Sequence, residues 1–290
     1  MMKDQVSPKQ LARAIQVSES SIKRWCDQGV IETVRTAGGH RRIAIADVVR
    51  FLRENRYDLV RPEVLGLPCT TGRTARVLKR AELGFREALL AGDEDQVRRI
   101  LFDLYLAKHE LVTILEDVVV AAFHRIGDLW SCGSAEVYQE RRGCEICSRL
   151  LHEFRTLTTP VPVSRGLAMG GTADGDVYQI PNALVELVLR HCGWETICLG
   201  SGLPFETLQS AIRQHHPDLF WLSVSHIQDE ERWVAGWNEL CAAAPPRLNF
   251  VVGGQALTVE FRQRLPRAAF CSDLRELETF VRSLGEATTP

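Results

Sequence analysis

Three sets of side chains in this 290-residue sequence have types and spacings that could do chemistry. The first lies in residues 170–181, GGTADGDVYQIP, which carry Asp176 and Tyr178. Gly170, Gly171 and Gly175 there permit positive φ and let backbone approach a bulky ligand closely. Ser223 and Ser225, in SVSH, and Gly253 and Gly254, in GGQ, stand in two later loops and could meet the same ligand. The second set is Cys144-x-x-Cys147 with Cys132 nearby, three thiols that could bind zinc or hold a chromophore through a thioether. No second Cys-x-x-Cys or His pair stands at metal-finger spacing, and cysteine is commonly buried, so no metal site is expected. The third set is basic: Lys23, Arg24, Arg35, His40, Arg41 and Arg42, suited to phosphate oxygens. No Ser-His-Asp set, P-loop or paired carboxylates appear, so no catalytic residue is assigned and no enzyme is expected.

The loops of the first set need a sheet to hold them. From residue 165 to 285 apolar runs alternate with amphipathic stretches, with strands at 166–169, 195–199, 219–224, 249–252 and 268–271. This βα repeat predicts a flavodoxin-like parallel sheet of five strands, with all three loops at one end of it. Ligands of such sheets gather at the carboxyl ends of the strands.

The basic set needs a different frame. Ser7 and Pro8 open a helix that runs to about Ile15, and Ser18 caps a second over residues 19–28, which Gly29 ends. Two short helices joined by a tight turn form a helix-turn-helix, whose second helix enters the major groove. Ile22, Trp25 and Cys26 fall at inward spacing on that helix, leaving Glu19, Ser20, Ser21, Lys23 and Arg24 outward. Residues 30–43 read as a hairpin around Gly38-Gly39 that carries Arg35, His40, Arg41 and Arg42. A third helix covers 46–54. Residues 57–74, with Pro62, Gly66, Pro68 and Gly72, read as a linker. Helices at 75–91, 94–108, 109–129 and 134–157 then predict a four-helix bundle over 75–157, followed by a Pro-rich hinge at 158–163. The whole is a multidomain α and α/β chain with the basic head at residues 1–56.

The order of capped helices, SSIKRWCDQGVI, TAGGHRRI and ADVVRFL resembles the winged helix of MerR-type regulators. That resemblance implies double-stranded operator DNA as a partner, with Ser20, Ser21, Lys23 and Arg24 toward the groove and the wing cations toward phosphate. No long heptad follows Glu54, so dimerisation must come from downstream. The run RIGDLWSCGSAEVYQERR resembles the helical cap of the cobalamin-binding CarH/LitR light-sensing repressors. Trp130 and Glu140 keep the family's places, while Arg141 stands at a histidine position and Ser131 where a histidine can occur. Read without that family, Trp130 is equally an interhelical packing residue.

The same resemblance extends to the sheet loops, where cobalamin domains carry Asp-x-His-x-x-Gly, Ser-x-Ser and Gly-Gly. Here Asp176, Ser223, Ser225, Gly253 and Gly254 match, but Tyr178 replaces the cobalt-ligating histidine and Pro181 the glycine. Imidazole offers a lone pair near neutral pH, whereas a phenol must first ionise. The resemblance therefore implies a sensor that has lost histidine ligation. It holds no cofactor, cobalamin in another mode or another tetrapyrrole, or it works through a protein partner.

Composition is consistent with that reading. No apolar run spans a bilayer and nine scattered cysteines suggest reduced thiols, so a cytoplasmic protein without a membrane partner is expected. The net charge of −2 divides into +5 over residues 1–56 and −7 over the rest, which marks the head as the end that meets a polyanion. The expected function is a repressor acting as a dimer or tetramer through its sensor domains. A corrinoid carrier of the methyltransferase type, and a scaffold whose winged helix binds protein, are the alternatives.

Overall fold

The computed structural model describes residues 5–67, 74–131, 133, 136–157 and 165–284. Cys132, the hinge at 158–163 and part of the expected linker lie outside the described residues. The chain divides into two compact units, Met1–Leu157 and Thr158–Pro290.

The first unit opens with β1 (Gln5–Val6), α1 (Pro8–Ala14) and α2 (Glu19–Asp27). Ser7 and Gln10 form a reciprocal capping box at α1, Ser18 caps α2 through the Ser21 N–H at 3.0 Å, and Gly29 ends α2 at φ +72°. Strands β2 (Val34–Arg35) and β3 (Arg41–Ala44) form the hairpin, closed by Gly39 at φ +77°. The three strands lie in the order β1-β3-β2, with Val6 beside Ile43 and Arg35 opposite Arg41. Helix α3 (Ile45–Glu54) completes the head, whose core is Leu11, Ile22, Ile31, Ile43, Val48 and Val49.

The head extends further along the chain than the turn-rich composition of residues 57–74 suggests. Tyr57 stacks on Phe51 with centroids 5.4 Å apart, and both rings touch Trp25. The amides of Val60 and Arg61 both donate to the Ala14 carbonyl, an orphan at the end of α1. A single turn, α4 (Pro62–Leu65), follows and buries Pro62 and Leu65. The expected linker is thus partly a fourth element of the head.

The bundle holds α5 (Ala75–Ala91), ended by Gly92 at φ +76°, and α6 (Glu94–Leu106), capped by Asp93. Its third rod starts later than expected because Lys108 adopts φ +64° and folds the end of α6. It then runs as α7 (Leu111–Ile114), a π-helical turn (Leu115–Val120) and α8 (Ala121–Ser131). The wider π turn accommodates a core in which neighbours Ile114 and Leu115, then Val118 and Val119, are all buried. Helix α9 (Val137–Leu157) closes the bundle.

Two arginines of α3 join head to bundle. Arg50 donates to the Thr156 carbonyl at 2.9 Å, near the end of α9. Arg53 donates to the carbonyls of Tyr105 at 2.6 Å, in the last turn of α6, and of His109 at 3.1 Å, just beyond it, with its guanidinium 3.9 Å from the Tyr105 ring centroid. Orphan carbonyls at helix C-termini favour such cations.

In the second unit β4 (Leu167–Gly171), β5 (Glu195–Cys198), β6 (Leu219–Ser223), β7 (Asn249–Gly253) and β8 (Ala268–Cys271) form a parallel sheet in the order β5-β4-β6-β7-β8. That is the flavodoxin-like winding expected. The helices are α10 (Ile180–His191), α11 (Phe205–His215), α12 (Glu230–Ala243), α13 (Val259–Arg262) and α14 (Leu274–Leu284). Met169, Phe220, Leu222, Phe250, Trp233, Trp237 and Phe261 share one core. Among the described residues no helix is long and apolar enough to cross a membrane.

Candidate functional site

On the head, Ser20, Lys23 and Arg24 are exposed on α2 and Arg35 and His40 on the hairpin, while Ser21 and Arg42 are half-buried. Lys23 pairs with Glu19 one turn earlier at 2.9 Å. The hydroxyls of Ser20 and Ser21 each lie 2.8 Å from that of the cap Ser18. Both hydroxyls thus support the cap of the helix, and that of Ser20 also faces outward. Arg41, expected among the cations that meet phosphate, is instead turned onto α2. It bonds the Asp27 carboxylate and the Lys23 carbonyl. No sequence spacing pairs residues 27 and 41; only the fold of the hairpin against the helix does.

In the second unit the glycines correct the sequence reading. Gly170 and Gly171 lie in β4, not in a loop. A Cβ on Gly170 would stand 2.1 Å from the Trp221 carbonyl, and one on Gly171 would stand 2.5 Å from the Gly200 carbonyl. They admit neighbouring strands and loops, not a ligand. Of the three, only Gly175 takes positive φ, at +85°.

The loop after β4 is organised around Asp176, which is 1% exposed. One carboxylate oxygen accepts the Tyr178 N–H at 3.1 Å; the other accepts the N–H groups of Ser225 at 2.6 Å and His226 at 3.3 Å. Burial pushes this carboxyl above the ordinary range, outweighing the three donors that pull it down. The Thr172 hydroxyl donates to the Asp176 carbonyl and accepts the Gly202 N–H at 2.9 Å. Val224 N–H donates to the Gly253 carbonyl at 2.8 Å, and Gly254, at φ +130°, lets the Val224 carbonyl pass where a Cβ would be 2.2 Å away. Asp176, Ser225, Gly253 and Gly254 are therefore brought together, while Ser223 is buried at the end of β6. Tyr178 points outward and is 40% exposed.

Two features escaped the sequence reading. A fourth loop, residues 199–204, joins the cluster through Gly200 and Gly202; its Gly-x-Gly after a strand was the available signal. Asn182 accepts the Trp221 indole N–H at 2.6 Å and donates to the Gly200 carbonyl at 3.2 Å. This tie fills the space between α10 and the sheet, and no short-range pattern announces it.

In the bundle, Trp130 is 54% exposed, so it does not serve interhelical packing within its own unit. Glu140 is half-buried and Arg141 exposed, 3.5 Å apart as an ion pair. The Cys144 thiol donates to Glu140 at 3.4 Å. Burial, then the Glu140 charge, pushes Cys144 up to about 12, and complete burial raises Cys147 as well. Both are therefore poor nucleophiles near neutral pH. Among the described residues no group of three His, Cys, Asp or Glu side chains could hold a metal ion.

Comparison with known proteins finds family matches in the head and in the bundle. Residues 6–56 match the family described as a helix-turn-helix domain, and residues 83–153 the family described as a B12 binding domain. The trimethylamine corrinoid protein 2 of Methanosarcina acetivorans is 22% identical over 161 residues, covering 51% of this chain and 72% of that protein. The structure of the Methanosarcina barkeri monomethylamine corrinoid protein superimposes with a TM-score of 0.61 at 13% identity, over 72% of this chain and 98% of that one. At that identity the likeness is one of fold.

Proposed function

We propose that this protein is a transcriptional regulator, a repressor, whose winged head binds operator DNA and whose cobalamin-binding-like module senses a signal without histidine ligation of cobalt. The observation that carries the first half is the exposed set Ser20, Lys23, Arg24, Arg35 and His40 on a head of opposite charge to the rest of the chain. Exposed cations on a recognition helix and wing suit the phosphate backbone, which supplies most non-specific affinity. Assembly as a dimer or tetramer through the sensor modules belongs to the same reading, since a two-fold operator needs two heads.

The second half rests on a test of fit. Ligation of the cobalt by the protein would take its donor from this loop, and where an imidazole would serve the loop offers the exposed phenol of Tyr178. Asp176, which would steer such a donor, has both oxygens committed to backbone N–H groups. His226 is the nearest imidazole in the adjoining loop, exposed and joined to Asp176 through its backbone. These residues do not fit histidine ligation of cobalt.

A second reading, a corrinoid carrier, is favoured by the similarity to the trimethylamine corrinoid protein over half of the chain. One experiment separates the two. The purified protein is mixed with adenosylcobalamin, desalted, and its absorption spectrum recorded; duplex binding is then titrated at several salt concentrations. A colourless protein whose DNA affinity falls steeply with salt is expected. A retained corrin spectrum without DNA binding would establish the carrier instead.

A further inference from the structure

We propose that Arg41 and Asp27 form a clamp that fixes the wing against the recognition helix, so that Arg41 positions the DNA-reading surface instead of contacting phosphate. This inference rests on the DNA-binding reading above.

Both terminal nitrogens of Arg41 are engaged on α2. One nitrogen bonds the Asp27 carboxylate and another donates to the Lys23 carbonyl at 3.1 Å, in the last turns of the helix. The arginine side chain is 21% exposed, whereas the Asp27 side chain is 62% exposed. The cation is covered and the anion faces the solvent, the reverse of what a phosphate-contacting pair requires.

Asp27 is otherwise out of place. A carboxylate in the last turn of a helix opposes the helix dipole, and on a DNA-binding face it repels the polyanion. Its bond to Arg41 accounts for it twice over. It joins the wing to the helix through one nitrogen of a planar guanidinium whose other terminal nitrogen holds the Lys23 carbonyl, a two-pronged arrangement that lysine could not reproduce. It also neutralises Arg41, which stands directly opposite Arg35 across the hairpin; like charges so placed repel. With Arg41 paired, Arg35 stays outward as the wing cation. Arg42, the next residue along the strand, points to the other face of the hairpin.

The roles of clamp and phosphate contact predict opposite signs for one substitution. Binding of the full chain to a mixed-sequence duplex, about ten phosphates longer than the footprint, is measured from low to moderate salt. Asp27→Asn removes an anion from the face, so a purely electrostatic surface would bind more tightly. The clamp predicts binding about three- to fivefold weaker with an unchanged salt slope. Arg41→Lys, which keeps the charge and would keep a phosphate contact, is expected to weaken binding by the same factor. The double variant is expected to be no worse than either single one. Circular dichroism of each variant establishes that the head remains folded. Tighter binding by Asp27→Asn, or wild-type affinity for Arg41→Lys, would overturn the clamp alone. No binding by the wild type at low salt would overturn the DNA reading and the clamp with it.

Discussion

On the head, Arg24, Arg35 and His40 stand exposed on a helix capped by Ser18 and on a tight hairpin, whereas in the second unit Asp176 lies buried with three backbone N–H groups around it. Both places were marked by polar residues in loops or helix ends. The first keeps its charges at the surface, where an external anion can meet them. The second turns its charge inward, where it holds two loops together. Polarity alone therefore does not mark a binding site; what decides is whether the side chain's hydrogen-bonding capacity is already satisfied within the fold.

The largest test of that contrast is Gly170→Ala. The added Cβ would lie 2.1 Å from a backbone oxygen, which cannot move as a flexible side chain can. A loss of about 3 kcal/mol or more in the urea unfolding of the second unit is expected. A near-neutral result would mean that the glycine leaves room for a ligand after all.

Asp176→Ala comes next, because it strands buried N–H donors. A loss of about 2 kcal/mol is expected, with faster hydrogen exchange at the Tyr178 and Ser225 amides. The pH dependence sharpens it. With its folded pKa above the unfolded value, Asp176 favours the native state most when protonated, so its contribution declines as pH rises through the carboxylate range. Asp176→Asn should remove that decline, which unfolding curves at several pH values would detect.

Arg24→Ala is the smallest in stability, within about 0.5 kcal/mol of wild type. It should nevertheless lower the slope of log affinity against log salt by about 0.9, the value for one phosphate contact. If stability fell and the slope did not, Arg24 would belong with Asp176 among the residues that organise the fold.

Much of the architecture was legible because it is local. Ser7, Ser18 and Asp93 start helices, and Gly29 and Gly92 end them, through contacts within a few residues. The five sheet strands follow from apolar runs between turn residues. What stayed hidden is long-range. Two residues of β1 pair with Ala44 and Ile43, the amides of Val60 and Arg61 reach back to Ala14, and Asn182 meets Trp221 from 39 positions away. At the candidate sites the identities of Asp176 and Arg41 were readable, but their partners were not, and the partners determine their roles.

The two arginines of α3 have a consequence for how such chains can change over generations. Arg50 and Arg53 seat the head on carbonyl oxygens near the ends of α9 and α6, and every helix end presents carbonyls whatever its side chains are. Apart from the Tyr105 ring, these two contacts ask little of the bundle's sequence. The instructions for this joint are written largely in one helix of the head, so substitutions can accumulate at the receiving positions while the joint is inherited intact.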